Sequence, residues 1–364
     1  MSKPRVISAD SHVQEDPLLY QERVPKKYRD RVPHLEERDG AQYYVMEGKK
    51  PRRLDVADEV ATDEDQEREF RSDPSGGRDL DRRMADMKRD GIDAEVIYAN
   101  ETLALYMAPD PEYQMCVARA FNDWAMELFG AHRNIFVPVG ALPVSDIGSA
   151  VKEVERIAKL GFRSVKIPIT VSDRPYNRPE YEPLWSALAD CGMVLALHAF
   201  SNDRDMYPED WGEKDGFGGA LDFMVMRMVD GMSPVSLLIS AGVPMRHPDL
   251  KFAVVECGAG WLAWLLYALD EQYEKKHMWI QPKLDLRPGE YFERQGYVTF
   301  GDDPSALGNL HMTGAANLMW GSDYPHDEGT FPHSQEVIER TFAGVSESDK
   351  RKIVCDNAAR LYGF

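Results

Sequence analysis

The sequence alternates short runs rich in valine, isoleucine and leucine with longer amphipathic stretches, and it does so eight times along its 364 residues. Nearly continuous apolar strands joined by helical crossovers are typical of a parallel sheet buried on both faces. Eight such units favour an α/β fold of the closed (β/α)8, TIM-like barrel type over an open doubly wound sheet. The predicted strands are Arg5–Ala9, Ala94–Ala99, Ile135–Leu142, Ser164–Ile169, Met193–His198, Lys251–Glu256, Tyr297–Phe300 and Asn317–Gly321.

Helical patterns lie between these strands and close the chain. One of them has clear signals at both ends, because Ser145-Asp146 is a typical N-terminal cap and Gly161 a typical C-terminal stop. The predicted helices are Leu80–Lys88, Pro111–Phe129, Ser145–Leu160, Glu180–Asp190, Gly218–Ile239, Gly260–His277, Ser334–Phe342 and Ser348–Leu361.

Residues 31–77 interrupt the alternation. They contain the acidic segment DVADEVATDEDQERE and have little apolar periodicity apart from QYYVM. We expect a long insertion after the first strand, with a small hairpin, over the mouth of the barrel. It is either a lid or oligomer contact, or a solvated excursion without a role. With no internal repeat or linker, residues 1–364 are predicted to form one domain.

A surplus of acidic residues argues against two classes of partner. The chain has 43 Lys+Arg against 62 Asp+Glu, a formal net charge of −19. Extended nucleic-acid contacts need clustered basic side chains, and an anionic membrane surface also attracts them. We therefore expect neither nucleic acid nor a membrane as a partner.

Cysteine usage and apolar run length indicate the compartment. The four cysteines are far apart and form no CxxC pair, which is typical of reduced thiols. The N-terminus MSKPRVISAD lacks a signal-peptide run, and the longest apolar stretch, Trp261–Leu269, is about half the length of a membrane span. A cytoplasmic protein is predicted.

Acidic and histidine residues occur where four of the predicted strands end. In parallel barrels, chemistry lies at the carboxyl ends of the strands. Residues two apart on a strand point the same way, and a buried carboxylate without a partner costs several kcal/mol, which a divalent cation removes. The candidate metal ligands are Asp10, His12, Glu15, His198, Glu256, Asp323 and His326.

Mixed imidazole and carboxylate ligands fit Zn²⁺, Mn²⁺ or Fe²⁺. Taken singly, each residue also has a structural interpretation, as a turn residue, a cap or a core histidine. One zinc ion needs three or four ligands, whereas the candidates comprise four carboxylates and three imidazoles. This set allows one metal or two, and hard oxygen ligands favour manganese or iron.

Four segments carry a family resemblance: ISADSHVQE, LALH, RHPDLKFAVVECGAGW and LMWGSDYPHDEGTFP. They resemble the metal-dependent amidohydrolase superfamily, and more closely its amidohydrolase-2 branch of aminocarboxymuconate-semialdehyde and resorcylate-type decarboxylases. The resemblance extends from Val6 to the closing NAARLYG. It implies a distorted (β/α)8 barrel that binds one divalent metal through Asp10, His12, His198 and Asp323.

Two positions depart from the pattern of that branch. Asp10 stands where many relatives have the first histidine of a His-x-His pair, although an acidic first ligand does occur among the resorcylate-type enzymes. Glu256 stands where the decarboxylases have an acid/base histidine. Glu256 is predicted to act as a general base if burial raises its pKa, or else to pair with an arginine. His247 lies before its strand and is therefore predicted to be structural.

Three further groups have weaker signals. Other superfamily branches carboxylate a strand-four lysine, and Lys166 is either such a residue or a salt-bridged structural lysine. Trp261 and Trp264 either line the pocket or pack in the core, the latter being favoured. The candidate substrate-binding residues, which include a guanidinium fork suited to a carboxylate, are Asn100, Asn202 and Arg204.

The leading hypothesis is a metal-dependent enzyme that hydrolyses or non-oxidatively decarboxylates a small polar organic substrate, with Glu256 and Asp323 catalytic. One alternative is a dinuclear Fe or Mn/Fe oxygenase on the same barrel, motivated by the excess of carboxylates. Another is a non-catalytic barrel subunit of a hetero-oligomer. We also expect a homo- or hetero-oligomer, with the run Phe223–Met232 as an interface unless it is a core helix.

Overall fold

The computed structural model of the chain describes residues 5–16, 18–48, 50–53, 74–204, 206, 216–326 and 328–364. The acidic segment DVADEVATDEDQERE lies outside the described residues. Within them, the chain runs through the first barrel strand, then the insertion, and then the seven further strands of the same barrel. The organisation of residues 1–364 as one domain stays a prediction.

Eight parallel strands form a single sheet in chain order, with helices between them, so the predicted (β/α)8 barrel is confirmed. Each strand is almost wholly buried, as expected of a sheet covered by helices on one face and filled on the other. The barrel strands are β1 (Ile7–Val13), β5 (Ala94–Ala99), β6 (Phe136–Ala141), β7 (Ser164–Ile167), β8 (Val194–His198), β9 (Phe252–Val255), β10 (Gly296–Phe300) and β11 (Leu318–Trp320).

The barrel closes where β1 meets the segment after β11. The His12 amide donates to the Tyr324 carbonyl at 2.6 Å, and the Asp323 amide donates to the Asp10 carbonyl at 2.9 Å. The Ser322 amide donates to the Ser8 hydroxyl at 2.8 Å. These bonds join the two ends of the chain and place two candidate ligand segments side by side.

Strand β1 is longer than predicted, since it extends to Val13 and not only to Ala9. Its pairing with β5 shifts between Ser8 and Ser11, where β1 contains one extra residue. Such a bulge redirects the side chains that follow it. Polar residues therefore continue a strand here because they pair with β5, which local hydrophobic periodicity does not reveal.

The predicted cap of one helix is confirmed, because the Asp146 carboxylate accepts from the Ser149 amide and Gly161 has a φ of +98°. The helices are Leu19–Arg23, Pro74–Arg78, Leu80–Asp90, Pro111–Phe129, Ile147–Leu160, Glu182–Asp190, Gly219–Val229, Met232–Ser240, Val243–Arg246, Leu262–Lys276, Pro288–Gln295, Pro304–Gly308, Leu310–Thr313, Ser334–Thr341, Glu347–Arg351 and Asn357–Tyr362. Short 3₁₀ turns lie at Lys26–Tyr28, Glu101–Met107, Gly130–His132 and Pro179–Tyr181, and a π-helical turn at Lys352–Asp356.

The prediction of one continuous helix over Gly218–Ile239 is wrong, because two helices meet near Gly231. A Cβ atom at Gly231 would lie 2.4 Å from Val254 Cγ1, so the chain passes directly against strand β9 here. The segment Gly219–Ser240 is also long and apolar enough to cross a membrane by length and composition. Since a core helix passes the same test, the absence of a membrane partner stays a prediction.

The insertion contains the predicted hairpin and one more strand. Strands β2 (His34–Arg38), β3 (Ala41–Val45) and β4 (Arg52–Arg53) form a small antiparallel sheet. Where the insertion ends, the Gly77 carbonyl accepts from the Gln14 amide beside the barrel mouth. A role as a lid or an oligomer contact stays a prediction.

A buried ion pair braces β1 from outside the barrel. Arg83 and Glu95, each 1% exposed, pair through Nε and Oε2 at 2.6 Å. Arg83 Nη1 also donates to the His12 carbonyl at 2.6 Å, and the Ser11 hydroxyl donates to Glu95 at 3.1 Å. This pair therefore connects a helix, β5 and the strand that carries two candidate ligands.

Replacing Arg83 by methionine is expected to lower the free energy of unfolding by about 3–5 kcal/mol, because the Glu95 carboxylate stays buried without a partner. Arg23→Met is the matched control, since the Arg23–Glu127 pair is largely exposed and a loss of about 0–1 kcal/mol is expected. Urea unfolding followed by tryptophan fluorescence measures both. Equal midpoints for the two variants would contradict this account.

Candidate metal centre

Six of the seven predicted metal-ligand candidates converge at the mouth of the barrel. Two of them, Asp10 and His12, project from β1, and His198 ends β8. Glu256 follows β9 directly, and the last two come from the segment after β11. All six lie at the carboxyl ends of strands, the end at which parallel barrels carry their chemistry. They are Asp10, His12, His198, Glu256, Asp323 and His326.

The His12 imidazole lies at the centre of the cluster. Its Nε2 atom is 3.3 Å from Asp323 Oδ1, 3.7 Å from Asp10 Oδ1 and 3.7 Å from Glu256 Oε2. The second imidazole, His198, has its Nε2 atom 3.4 Å from Asp10 Oδ1. Ligands about 2.1 Å from a tetrahedral ion are about 3.4 Å from one another. Each of these spacings therefore fits a pair of ligands on one cation, and the candidates form two overlapping groups that share His12: Asp10, His12 and His198, and His12, Glu256, Asp323 and His326.

Five buried atoms of this cluster have no hydrogen-bond partner among the described residues. An unpaired buried polar atom costs about 1–3 kcal/mol, and more if it is charged. Five such atoms close together indicate a cation-binding site, because contact with a positive ion removes the cost of leaving them unpaired. The atoms are Asp10 Oδ1, His12 Nε2, His198 Nε2, Glu256 Oε2 and Asp323 Oδ1.

The backbone orients both imidazoles toward the cluster. His12 Nδ1 lies 3.2 Å from the Ala99 carbonyl, and His198 Nδ1 lies 2.9 Å from the Ala199 carbonyl. Because a carbonyl only accepts hydrogen bonds, each Nδ1 carries the hydrogen and each Nε2 lone pair faces the carboxylates. Such contacts are the usual way in which proteins fix the orientation of metal-binding histidines.

The carboxylates differ in protonation. Burial and the charge of Asp323 raise the pKa of Glu256 well above its ordinary value. Burial also acts on Asp323, but the charge of His326 and the close contact with His12 lower its pKa by more, so the net pKa is low. Burial therefore favours the protonated form of Glu256, whereas its surroundings favour the carboxylate form of Asp323.

The two histidines differ in the same way. Burial lowers the pKa of both, and for His198 this effect dominates, so the net pKa is low. For His12 the close contact with Asp323 and the charges of Asp323 and Asp10 outweigh burial, and the net pKa is raised. His198 is therefore neutral and ready to bind a metal, whereas a proton competes for His12.

Backbone strain is concentrated at the same place. Glu256 and Asp323 have φ values of +58° and +57°. Left-handed backbone is uncommon outside glycine, and it recurs where the surrounding structure holds a functional side chain in position. The Glu256 amide is held by the Thr299 hydroxyl, which accepts its hydrogen bond at 3.0 Å.

His326 contacts the cluster through Asp323. Its Nδ1 lies 3.0 Å from Asp323 Oδ1, and its Nε2 lies 2.9 Å from Asn100 Oδ1. The ring also stacks on His12 at a centroid distance of 4.1 Å. The structure therefore brings Asn100 to the cluster as well, as a neighbour of His326.

Three predicted site residues do not join the cluster. The carboxylate of Glu15 accepts from the Thr102 amide at 2.8 Å and from its hydroxyl at 2.6 Å. Asn202 accepts from the Thr170 hydroxyl at 2.7 Å. Arg204 is exposed and pairs with Asp173 at 2.8 Å. Their predicted roles as ligand and substrate-binding residues have no support from these contacts and stay predictions.

A cavity of about 500 Å³ opens beside the cluster, and Asp10, Glu256 and Asp323 line it. Trp261 is also in the lining, and its indole donates to the Cys257 carbonyl at 2.8 Å. The prediction that Trp264 packs in the core is wrong, because this residue is 61% exposed. The described lining of this cavity includes no lysine or arginine.

Some residues around the cluster were not predicted from the sequence. Tyr98 on β5 lies beside both imidazoles, its ring centre 4.7 Å from His198 and 6.1 Å from His12. The signal available in the sequence was its position on the predicted strand Ala94–Ala99. His247, which lies before β9, was predicted to be structural. Its Nε2 atom is 2.7 Å from Glu182 Oε1, which agrees with that role.

Comparison with known protein families covers almost the whole chain. The profile of the amidohydrolase family matches residues 10–364. The chain is 23% identical over 298 residues to a 2-amino-3-carboxymuconate-6-semialdehyde decarboxylase from Dictyostelium discoideum, covering 81% of this chain and 79% of that protein. It is 24% identical over 296 residues to a gamma-resorcylate decarboxylase from Polaromonas sp., covering 78% and 86%.

Solved structures share the fold over nearly their entire length. An amidohydrolase from Mycobacterium avium subsp. paratuberculosis superposes with a TM-score of 0.79 at 21% identity, covering 100% and 99% of the two chains. The 5-carboxyvanillate decarboxylase from Sphingomonas paucimobilis superposes with a TM-score of 0.71 at 22% identity, covering 100% of both chains. The dihydroxybenzoic acid decarboxylase from Polaromonas, solved with manganese and 2-nitroresorcinol, superposes with a TM-score of 0.67 at 21% identity. The match covers 99% of this chain and 97% of that one.

These matches confirm the resemblance that the four sequence segments predicted, and with it a metal-dependent hydrolase or carboxy-lyase. The ligand cluster agrees with the prediction of a divalent metal cofactor. The identity and number of the metal ions stay predictions. By the match of its family profile over residues 10–364, this chain belongs to the amidohydrolase family.

Proposed function

We propose that this enzyme non-oxidatively decarboxylates a small aromatic carboxylic acid, using one divalent metal ion. The observation that carries the proposal is the convergence of five unpartnered buried polar atoms at the barrel mouth. Relatives named as decarboxylases of aminocarboxymuconate semialdehyde, resorcylate and carboxyvanillate support the reaction class. A solved relative with bound manganese supports manganese as the metal.

Four residues would hold the ion in this proposal: Asp10, His12, His198 and Asp323. When bound, the ion polarises oxygen atoms of the substrate and neutralises its charge. His326 would position Asp323 through their 3.0 Å contact. The candidate ligands form two overlapping groups, and both include His12: the first also contains Asp10 and His198, and the second Glu256, Asp323 and His326. Since His12 Nδ1 faces a carbonyl, only Nε2 is free to ligate, and this supports one ion over two.

Glu256 would supply the proton in place of the histidine that related decarboxylases have. Burial and the charge of Asp323 raise its pKa, which favours the protonated form. As the carbon–carbon bond breaks, carbon dioxide leaves and its bonding electron pair stays on the ring carbon. The proton of Glu256 then forms the new carbon–hydrogen bond, and solvent reprotonates the carboxylate. A proton donor positioned in this way typically contributes about 10²–10⁴-fold in rate.

The other candidate functions have less support. Hydrolysis would use the same residues with Glu256 as a base, but its raised pKa favours a proton donor. A dinuclear oxygenase needs a second complete ligand set, and the two groups here share His12. A non-catalytic subunit would not need to retain a strained, largely buried cluster.

We expect metal removal to abolish carbon dioxide release and manganese to restore it. Asp323→Asn is expected to weaken manganese binding at least about tenfold, because one charged ligand is lost. Asp173→Asn removes an exposed carboxylate that is paired with Arg204. This variant is the control and should bind manganese as the wild type does.

Because the pKa of His12 is raised, protons compete with the metal for this residue, and manganese affinity should fall as the pH is lowered. Elemental analysis and manganese titration measure these effects, and activity in metal-free protein would contradict the proposal.

Replacing Glu256 by glutamine should lower kcat about 10²–10⁴-fold, since an amide cannot donate the proton. Manganese binding should change less than it does in Asp323→Asn. Carbon dioxide release from a panel of hydroxybenzoic acids, followed in D₂O for deuterium at the ring carbon, measures the chemical step. Retention of kcat within a few-fold by Glu256→Gln would remove this residue from the mechanism.

We also infer a homo-oligomer and a cytoplasmic location. Four large apolar side chains on the helix Leu262–Lys276 and just after it are exposed, which soluble monomers seldom tolerate together. The described structure has all four cysteines free, which fits a reducing compartment. The apolar side chains are Trp264, Tyr267, Met278 and Trp279.

If these side chains form the interface, Trp264→Glu should convert the assembly to monomer, because a buried charge opposes association. Glu274→Gln, on the same helix, is the control and should leave the mass unchanged. Size-exclusion chromatography with light scattering measures the mass of each variant. A wild-type monomer at micromolar concentration would rule out the oligomer.

A further inference from the structure

Lys166 lies on β7, the fourth strand of the barrel, and its side chain faces the barrel interior. It pairs in register with Ala196 on β8, and Ala196 lies two residues before His198. Side chains repeat with a period of two along a strand, and paired residues of neighbouring parallel strands face the same side. The Lys166 side chain therefore starts one layer below His198, on the inner face of the barrel.

The ammonium group of Lys166 is buried and lacks a hydrogen-bond partner. The residue is 1% exposed, and within the described parts of the chain its Nζ atom has no hydrogen-bond acceptor. The sequence-based alternative of a salt-bridged structural lysine therefore has no support from the described residues. A buried ammonium without an acceptor costs roughly several kcal/mol, so its position calls for a ligand that the fold itself does not supply.

Tyr106 holds the lysine in place. The Tyr106 hydroxyl donates to the Lys166 carbonyl at 2.9 Å, and its ring centre is 5.3 Å from Nζ. A cation–π contact contributes about 0.5–2 kcal/mol, which offsets only part of the desolvation of the ammonium. The side chain is thus positioned, but its hydrogen-bonding capacity is not used.

The surroundings show what kind of ligand is missing. Burial lowers the pKa of Lys166 to about 7, and the charges of Glu15 and Glu256 oppose that effect. The ammonium therefore lies within electrostatic reach of the cluster. An acid that enters the cavity would be repelled by the carboxylates of its lining, and that lining has no described cation. These carboxylates are Asp10, Glu256, Asp302, Asp303, Asp323 and Glu328.

We propose that Lys166 binds an anionic oxygen of the substrate, a carboxylate or a phenolate, and selects acids over their neutral analogues. The identity of the substrate class rests on the proposed decarboxylase function. Lys166 is not itself among the lining residues of this cavity, and in this proposal its ammonium counterbalances the acidic lining from the inner face of the barrel. A charge-assisted hydrogen bond of this kind is among the stronger polar contacts in proteins.

The test compares two probes on manganese-loaded protein by isothermal titration calorimetry: 2,6-dihydroxybenzoate, and resorcinol, which lacks the carboxylate. Lys166→Met should weaken binding of the acid at least about tenfold, the size of one charge-assisted hydrogen bond, and change resorcinol binding less than about twofold. Lys166→Arg keeps the charge and should bind the acid more tightly than the methionine variant.

Lys251→Met is the matched control, because the Lys251 ammonium donates to the Arg294 carbonyl at the opposite end of the barrel. It should bind both probes as the wild type does. Equal weakening of both probes by Lys166→Met, unchanged acid binding, or no acid binding by the wild type would overturn the inference. Lys166-dependent acid binding without any carbon dioxide release would overturn the proposed function and leave this inference standing.

Discussion

Five buried polar atoms that lack hydrogen-bond partners meet at one end of the barrel, and a positive ion is the simplest partner that all five share. The fold accepts the electrostatic and conformational cost of holding them there. Glu256 and Asp323 have left-handed backbone conformations, and two imidazoles are turned toward the cluster by backbone carbonyls. Strain and desolvation at one point are typical of a site whose energy is recovered on binding.

The barrel seam determines the geometry of that cluster. Residues from the two ends of the chain meet there through backbone bonds between β1 and the segment after β11. The extra residue in β1 and the Arg83–Glu95 pair outside the sheet together set where Asp10 and His12 point. A buried ion pair of this kind contributes little net stability but is costly to break, so it defines one arrangement of the strand.

Charge is distributed unevenly around the cavity. Its described lining is acidic, whereas the one buried ammonium close to the cluster belongs to Lys166 and has no partner among the described residues. The metal cluster and Lys166 lie on the same inner face of neighbouring strands, because β7 and β8 are paired in register.

The eight strands, most of the helices and the strand ends that carry chemistry were predictable, because apolar periodicity and helix caps are local properties of the sequence. The length of β1, the helix break at Gly231 and the separate environments of Glu15 and Arg204 were not, since each depends on a contact with a distant segment. Local pattern thus determines a barrel with acids and histidines at its mouth. Which of them share a cation is decided by barrel closure, because only closure brings Asp10 and Asp323, from opposite ends of the chain, to the same imidazole.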